Sequence, residues 1–216
     1  MKNIIDLSEN VNKKIKDLNY SNYKPQIIAV SKTFSMDNIL PLIDYGHEHF
    51  GENKVQEALN KWSDIKNQKP HIKLHMIGRL QSNKVKQAVG IFDYIHSVDS
   101  IKLAKKISEE QKKQNKNLKI FLQVNIGDEV QKSGTNLNEL DKLVFECKKI
   151  NLNILGLMCL PPINDPVNKY FSLIKNKNDE LDFKELSLGM SNDYIEALKY
   201  KTSFIRIGTK IFGERV

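Results

Sequence analysis

The sequence predicts an α/β protein folded as a single-domain TIM-type (β/α)8 barrel. Eight short apolar segments alternate with longer amphipathic segments, and no linker rich in Pro, Gly or Ser separates them. The chain has 216 residues, of which 40% are hydrophobic, so it is long enough for one domain with a sizeable core. We therefore expect residues 1–216 to form one barrel domain.

The eight predicted strands are short and rich in β-branched or aromatic residues, as expected of parallel strands whose two faces are buried. They are the segments Gln26–Val30, Glu48–Gly51, Leu74–Gly78, Tyr94–Val98, Lys119–Asn125, Ile154–Leu160, Glu185–Leu188 and Phe204–Gly208. A doubly wound open sheet would also alternate strands with helices, but the count of eight strands favours the barrel.

The segments between the strands have helical periodicity. Apolar residues recur at helical spacing in three of them: Ile4, Leu7, Val11, Ile15 and Leu18; Val55, Leu59, Trp62 and Ile65; and Leu137, Leu140, Val144 and Cys147. Asn136, with Glu139 three residues later, indicates a capping box. Asp165 followed by Pro166 indicates an N-cap residue and a proline at the first helical position. These two signals place helices after strands five and six.

Composition narrows the class of partner and the cellular location. The net charge is +8, but the 34 Lys and Arg residues are scattered, so we expect a solvated surface and no nucleic-acid partner. The N-terminus lacks a secretory signal, and the most apolar segment, Ile154–Ile163, is too short to cross a membrane. The two cysteines, Cys147 and Cys159, form no disulfide framework, which indicates a cytoplasmic protein with reduced thiols.

Lys32 is the first candidate for chemistry, because functional residues of such a barrel lie at the C-terminal ends of its strands. It directly follows four apolar residues, so its amine should be poorly solvated and lose its proton more readily than that of a surface lysine. Imine formation with an aldehyde needs such an amine. The alternative is a solvent-facing lysine that only opens a loop.

The ends of strands seven and eight carry glycine and hydroxyl residues, where a barrel of this type often binds a phosphate. Ser191 is expected to cap the helix after strand seven, leaving backbone N–H groups for an anion. Gly208 would let the backbone approach a phosphate, and Thr209 adds a hydroxyl. Arg206 is a lone charge within an apolar strand, and a structural salt bridge is the alternative to a functional role there.

Seven motifs, in order along nearly the whole chain, resemble the YggS/PROSC family of pyridoxal phosphate homeostasis proteins, which is similar to the barrel domain of bacterial alanine racemase. They are AVSKT (29–33), FGEN (50–53), HMIGRLQSNK (75–84), VNIGDEVQKSG (124–134), GLMCLPP (156–162), LSLGMSND (186–193) and IRIGTKIFGER (205–215). The resemblance implies that pyridoxal 5′-phosphate (PLP) forms a Schiff base, the internal aldimine, with Lys32. Lys201–Ser203 departs from the Gly-Ser-Thr-like run that the family tends to have before strand eight.

The same resemblance implies a set of cofactor contacts. The residues expected to hold the phosphate or to lie beside it are Met190, Ser191, Ile207, Gly208 and Thr209, and those expected to line the pocket are Asn53, His75 and Met158. Arg206 would face the pyridine nitrogen. Because a guanidinium stays charged and only donates, that nitrogen should remain unprotonated and the cofactor should be a poorer electron sink.

Two functions are compatible with this site. The resemblance implies a PLP-binding protein of vitamin B6 homeostasis, without robust catalysis, that acts as a monomer and meets PLP-dependent apo-enzymes transiently. The alternative is a PLP-dependent amino-acid racemase of the alanine racemase type, with Lys32 as one of two bases. The eight strand–helix units are expected to leave no room for the additional β-domain of alanine racemase, and an open pocket favours the first function.

A metal site is a third hypothesis, because all five histidines lie between residues 47 and 96. His47 and His49 could share a strand face, and His71 and His75 are four residues apart. No matching spacing of Asp, Glu or Cys accompanies these pairs, so we expect no bound metal.

Overall fold

Eight parallel strands in the order of the sequence form a closed barrel, in which the last strand pairs with the first. The computed structural model describes residues 2–129, 131–163 and 165–214. In these residues the strands are β1 Gln26–Val30, β2 His49–Glu52, β3 Lys73–Met76, β4 Tyr94–Val98, β5 Lys119–Val124, β6 Ile154–Cys159, β7 Glu185–Ser187 and β8 Phe204–Ile207. The predicted TIM-type (β/α)8 barrel is confirmed.

A helix follows each strand, and one more precedes β1. The described helices are α1 Lys2–Asp17, α2 Met36–Asp44, α3 Val55–Gln68, α4 Val85–Ile91, α5 Ile101–Gln114, α6 Leu137–Lys149, α7 Val167–Glu180, α8 Tyr194–Leu198 and α9 Thr209–Phe212, with a 3-10 turn at Ser82–Lys84. In α1 the apolar face predicted from periodicity is buried from Ile4 to Ile15. None of the described helices combines the length and apolarity of a membrane span.

The two predicted helix starts have different outcomes. The Asn136 side chain accepts a hydrogen bond from the Glu139 N–H at 2.9 Å, which confirms Asn136 as the N-cap of α6. The prediction for Asp165 is wrong, because α7 begins at Val167 and no side chain caps it. The Asp165 carboxylate instead accepts a hydrogen bond from the Tyr170 hydroxyl and pairs with Lys169. Two partners in the first turn thus satisfy this carboxylate.

The barrel interior combines a small apolar cluster with buried polar groups. Its apolar members are Ile28, Tyr94, Phe121, Met158 and Phe204. Because side chains alternate along each strand, the neighbouring residues face the larger core between the barrel and the helices. The polar residues His75, His96, Ser187 and Arg206 are also buried. Buried polar groups need partners, so this interior is where specific chemistry is expected.

Thr202 explains how the segment Lys201–Ser203 leads into β8. It is fully buried, and its hydroxyl oxygen accepts a hydrogen bond from the Leu188 N–H at 2.9 Å. The same hydroxyl lies 3.0 Å from the Phe204 carbonyl oxygen. A threonine side chain therefore links the ends of β7 and β8, where the two strands share a single register pair.

Candidate cofactor site

Lys32 lies half-buried at the C-terminal end of β1, and both of its chain neighbours are held by α3. Lys61 Nζ donates a hydrogen bond to the Ser31 carbonyl oxygen at 2.9 Å. The Thr33 N–H donates to Glu57 Oε1 at 2.6 Å. Thr33 has a φ of 70°, in the left-handed region, so the backbone turns sharply just after Lys32. The position of the Lys32 backbone is thus set by contacts of its two neighbours with α3.

Glu52 connects this arrangement to β2. It is fully buried, and its Oε1 accepts hydrogen bonds from Ser31 Oγ at 2.8 Å, Lys61 Nζ at 2.9 Å and Trp62 Nε1 at 3.0 Å. This role was not predicted from the sequence. The sequence did contain a signal for it, because side chains alternate between the two faces of a strand. Gly51 lies against Ile28 inside the barrel, so the next residue, Glu52, points outward to α3.

Replacing Glu52 with alanine is expected to lower the free energy of unfolding by about 1–3 kcal/mol, because it leaves the buried Ser31 hydroxyl and Trp62 N–H without their acceptor and removes one of the two carboxylates that pair with Lys61. Lys61 is 12% exposed, so water replaces the lost carboxylate only in part. Glu48→Ala, at an exposed position of the same segment, is the matched control and should change stability by less than about 0.5 kcal/mol. Urea unfolding of both variants measures the difference, and equal stabilities would contradict the proposed role of Glu52.

Arg206 points into the barrel from β8 and is 4% exposed. Its Nη1 donates to the carbonyl oxygen and to Oγ of Ser187, both at 2.6 Å, and its Nη2 donates to the Cys159 carbonyl oxygen at 3.1 Å. Among the ion pairs of the described residues, none includes Arg206. The structural salt bridge considered for this residue is therefore absent from that part of the chain. Burial lowers the pKa of the guanidinium, which nevertheless stays charged at neutral pH.

Three histidines continue the hydrogen bonds of Ser187 across the barrel. Ser187 Oγ lies 2.9 Å from His96 Nδ1, His96 Nε2 lies 2.9 Å from His75 Nδ1, and His75 Nε2 lies 2.9 Å from His49 Nδ1. Burial, reinforced by the charge of Arg206, holds the pKa of His96 well below its usual range. Burial likewise lowers the pKa of His75, and that of His49 to about 4. All three imidazoles are therefore neutral at physiological pH.

Two residues predicted to line the pocket lie deep in the barrel. His75 is fully buried and stacks on Tyr94, and both of its ring nitrogens are taken by neighbouring histidines. It has no ring nitrogen left to bond a cofactor directly. Met158 is also fully buried and packs in the interior apolar cluster. Whether these two residues contact a cofactor stays a prediction.

The residues predicted to hold a phosphate lie after β7 and β8. Gly208 immediately precedes α9, and the nearest atoms that a Cβ added to it would meet belong to Val30, at 3.5 Å or more. The backbone there is accessible beside the end of β1, and Thr209 follows it. Ile207 is fully buried with its side chain in the outer core, so only its backbone could serve a ligand.

Ser191 does not cap the next helix, so that prediction is wrong. Helix α8 begins at Tyr194, and Asp193 is its N-cap residue. Asp193 Oδ1 accepts a hydrogen bond from the Met190 N–H at 2.5 Å, which makes residues 190–193 a tight turn ahead of the helix. Ser191 is half-buried in this turn, and Met190 is 39% exposed. Both residues remain available to a ligand at the C-terminal mouth of the barrel, where the strands end.

Asn53 follows β2 on the same side of the barrel as Lys32. Its Oδ1 is buried, and it has no hydrogen-bond partner among the described residues. A buried polar atom of this kind marks a place where a bound molecule or water supplies the partner. Four groups thus surround this end of the barrel: an amine after β1, this amide after β2, a buried cation in β8 and an accessible glycine after β8. Together they suit a ligand with an aldehyde, a polar ring and a phosphate.

Comparison with known proteins identifies the family. The family "Alanine racemase, N-terminal domain" matches residues 5–216. A relative from Aquifex aeolicus (strain VF5), named "Pyridoxal phosphate homeostasis protein", is 37% identical over 202 residues, which are 88% of this chain and 87% of the relative. The chain belongs to the pyridoxal phosphate homeostasis protein family. An Escherichia coli (strain K12) member of this family is 35% identical over 201 residues, which are 88% of this chain and 85% of that protein.

A solved structure extends this likeness to the fold. PipY of Synechococcus elongatus PCC7942, determined with PLP bound, has a TM-score of 0.83 to this chain at 31% identity. The match covers 94% of this chain and 100% of PipY. The resemblance seen in the sequence motifs is confirmed.

The histidines of this family member form no metal centre in the part of the chain that the structure describes, where no group of three or more His, Cys, Asp or Glu is placed to bind an ion. His49, His75 and His96 hydrogen-bond to one another. His47 Nε2 lies 2.9 Å from the His49 carbonyl oxygen, and His71 is exposed.

Proposed function

We propose that this chain binds PLP at the C-terminal mouth of its barrel and acts in vitamin B6 homeostasis, holding PLP without robust catalysis. The observation that carries this proposal is the PLP bound to PipY, which matches 94% of the present chain. The names of the curated relatives support the same role. Residues 1–216 would act as one PLP-binding barrel domain.

Lys32 is proposed to hold PLP covalently, as a Schiff base through Nζ. The supporting observation is that α3 holds the backbone on both sides of Lys32, while Glu52 holds the side chain of the preceding Ser31. The proposed phosphate contacts are Ser191, Gly208 and Thr209, with Met190 and the Ile207 backbone beside them. Asn53 would place its unpartnered Oδ1 in the pocket. When bound, PLP supplies an aldehyde carbon and an electron-withdrawing ring.

Arg206 is proposed to face the pyridine nitrogen. Its guanidinium is anchored by Ser187 and Cys159 and carries a charge that proton transfer does not remove. A group that only donates hydrogen bonds keeps the ring nitrogen as an acceptor and therefore unprotonated. The ring is then a weaker electron sink, which suits holding PLP better than transaminase-type chemistry.

Addition of PLP to the purified full-length chain tests this function. We expect an absorption band at roughly 420 nm, the property of a protonated PLP imine, and its loss on borohydride reduction. The racemase alternative is tested in deuterium oxide with a panel of L-amino acids. Exchange of the α-hydrogen at an enzyme-like rate would overturn the homeostasis proposal, and a preparation that binds no PLP would overturn the binding site.

The proposed cellular location, oligomeric state and partners are based on the composition of the chain. We propose a cytoplasmic monomer that meets PLP-dependent apo-enzymes transiently and binds neither nucleic acid nor membranes. Both cysteines are buried and unpaired, and burial raises the pKa of each thiol to about 12, which suits inert thiols in a reducing compartment.

A further inference from the structure

A continuous set of hydrogen bonds crosses the barrel interior from Arg206 to His49. It passes through Ser187, His96 and His75, which lie on three different strands. His49, at the start of β2, opens to a cavity of about 490 Å³ at the opposite end of the barrel from Lys32. We call Ser187, His96, His75 and His49 the relay.

The chemistry of Arg206 gives the relay one direction. A guanidinium can only donate, so Ser187 Oγ accepts from Arg206. If His96 Nδ1 also donated to that oxygen, the serine hydrogen would have no acceptor among the described contacts of this fully buried residue. The serine hydroxyl therefore donates to His96 Nδ1, which must be unprotonated.

The same reasoning continues along the relay. A neutral imidazole with a bare Nδ1 carries its hydrogen on Nε2, so His96 Nε2 donates to His75 Nδ1. His75 Nε2 then donates to His49 Nδ1. His49, the last residue of the relay, therefore also carries its hydrogen on Nε2. All three histidines are assigned the Nε2-protonated tautomer.

This direction stabilises the buried cation. Each unprotonated Nδ1 is the negative end of its ring and faces toward Arg206, whereas each N–H points away from it. Hydrogen bonds aligned in this way polarise one another in a low-dielectric interior. Neutral dipoles support the guanidinium, which forms no ion pair among the described residues and feels the Asp193 carboxylate only from a distance. The positive charge of Arg206 is therefore available to a group bound at the C-terminal mouth of the barrel.

We propose that the relay residues are positioning residues for Arg206, which orient its guanidinium and stabilise its charge through aligned Nε2-protonated imidazoles. The expected effect of the relay on PLP binding rests on the proposed function, in which Arg206 faces the pyridine nitrogen of PLP. The direction of the relay itself does not depend on PLP.

The first test measures the tautomers. Long-range ¹H–¹⁵N correlation spectra of the uniformly ¹⁵N-labelled full-length protein distinguish Nδ1-protonated from Nε2-protonated imidazoles. We expect His49, His75 and His96 all to be Nε2-protonated at neutral pH. An Nδ1-protonated form at His75 or His96 would reverse the relay and overturn the proposal. This result is independent of whether PLP binds.

The second test interrupts the relay and measures PLP binding. His96→Leu removes the acceptor of the Ser187 hydroxyl, and we expect PLP affinity to fall by about tenfold and the PLP absorption band to shift. His96→Asn retains an acceptor close to the Nδ1 position and should restore affinity to within about threefold of the wild type. His71→Leu, at an exposed histidine outside the relay, is the control.

If His96 acts only in packing, His96→Leu should be less stable than the wild type but should have the same affinity for PLP and the same PLP absorption spectrum. That outcome would overturn the proposal. Ser187→Ala interrupts the relay one residue earlier and provides the same two readouts if His96→Leu does not fold. Failure of the wild-type protein to bind PLP would overturn the proposed function, whereas the tautomer measurement would still decide the direction of the relay.

Discussion

Replacing Lys32 with alanine is expected to abolish covalent attachment of PLP completely. The wild-type chain should gain the mass of one reduced pyridoxyl phosphate group after borohydride treatment, located on the peptide that contains Lys32. The variant should gain none, because alanine offers no amine to the aldehyde. Mass spectrometry of the intact protein and of its peptides measures both outcomes.

Lys54→Ala is the matched control, because Lys54 is an exposed lysine that follows β2. We expect it to label as the wild type does. The 34 Lys and Arg residues of the chain include many other surface amines that can react with excess PLP, so labelling is compared at one equivalent of cofactor. Stoichiometric labelling of Lys32→Ala at another lysine would show that the anchor lies elsewhere.

Acidification from pH 7 to pH 5 is expected to destabilise the fold steeply. His49, His75 and His96 are buried in neutral form, and burial lowers the pKa of each from its usual value of 6.5, that of His49 to about 4. Below pH 6.5 the unfolded chain binds protons that the folded chain excludes. Once the pH is about one unit below 6.5, each histidine costs up to about 1.4 kcal/mol per pH unit, so three cost up to about 4 kcal/mol per unit, against a total stability of about 5–15 kcal/mol.

The stability contributed by these histidines is thus fully present above pH 6.5 and is lost as the pH falls toward the folded-state pKa values. Urea unfolding at pH 7, 6 and 5 measures the slope. His75→Phe should reduce the slope by the share of one histidine, whereas His71→Gln, at an exposed position, should leave it unchanged. A free energy of unfolding that is constant between pH 7 and pH 5 would contradict the neutral buried state of the relay.

Local patterns in the sequence were sufficient to predict those features that depend on contacts between residues close together in the chain. The Asn136 cap joins residues three positions apart, and the face of α1 follows from helical periodicity. The predicted caps at Asp165 and Ser191 failed because nearby residues compete for the same groups. Asp165 is bound by Tyr170 and Lys169, and the N–H groups of Asp193 and Tyr194, which a Ser191 cap would have needed, donate to the Met190 carbonyl oxygen.

The sequence by itself determined the barrel, the order of its eight strands and the position of Lys32 at the end of β1, because alternation of strands with helices is visible along the chain. Only the tertiary structure decided the partners of the buried polar groups. Ser187 meets His96 across 91 residues, and Arg206 meets Cys159 across 47. Closure of the barrel brings their strands around one interior, and an isolated histidine or serine in a strand carries no local signal of which residue it will face.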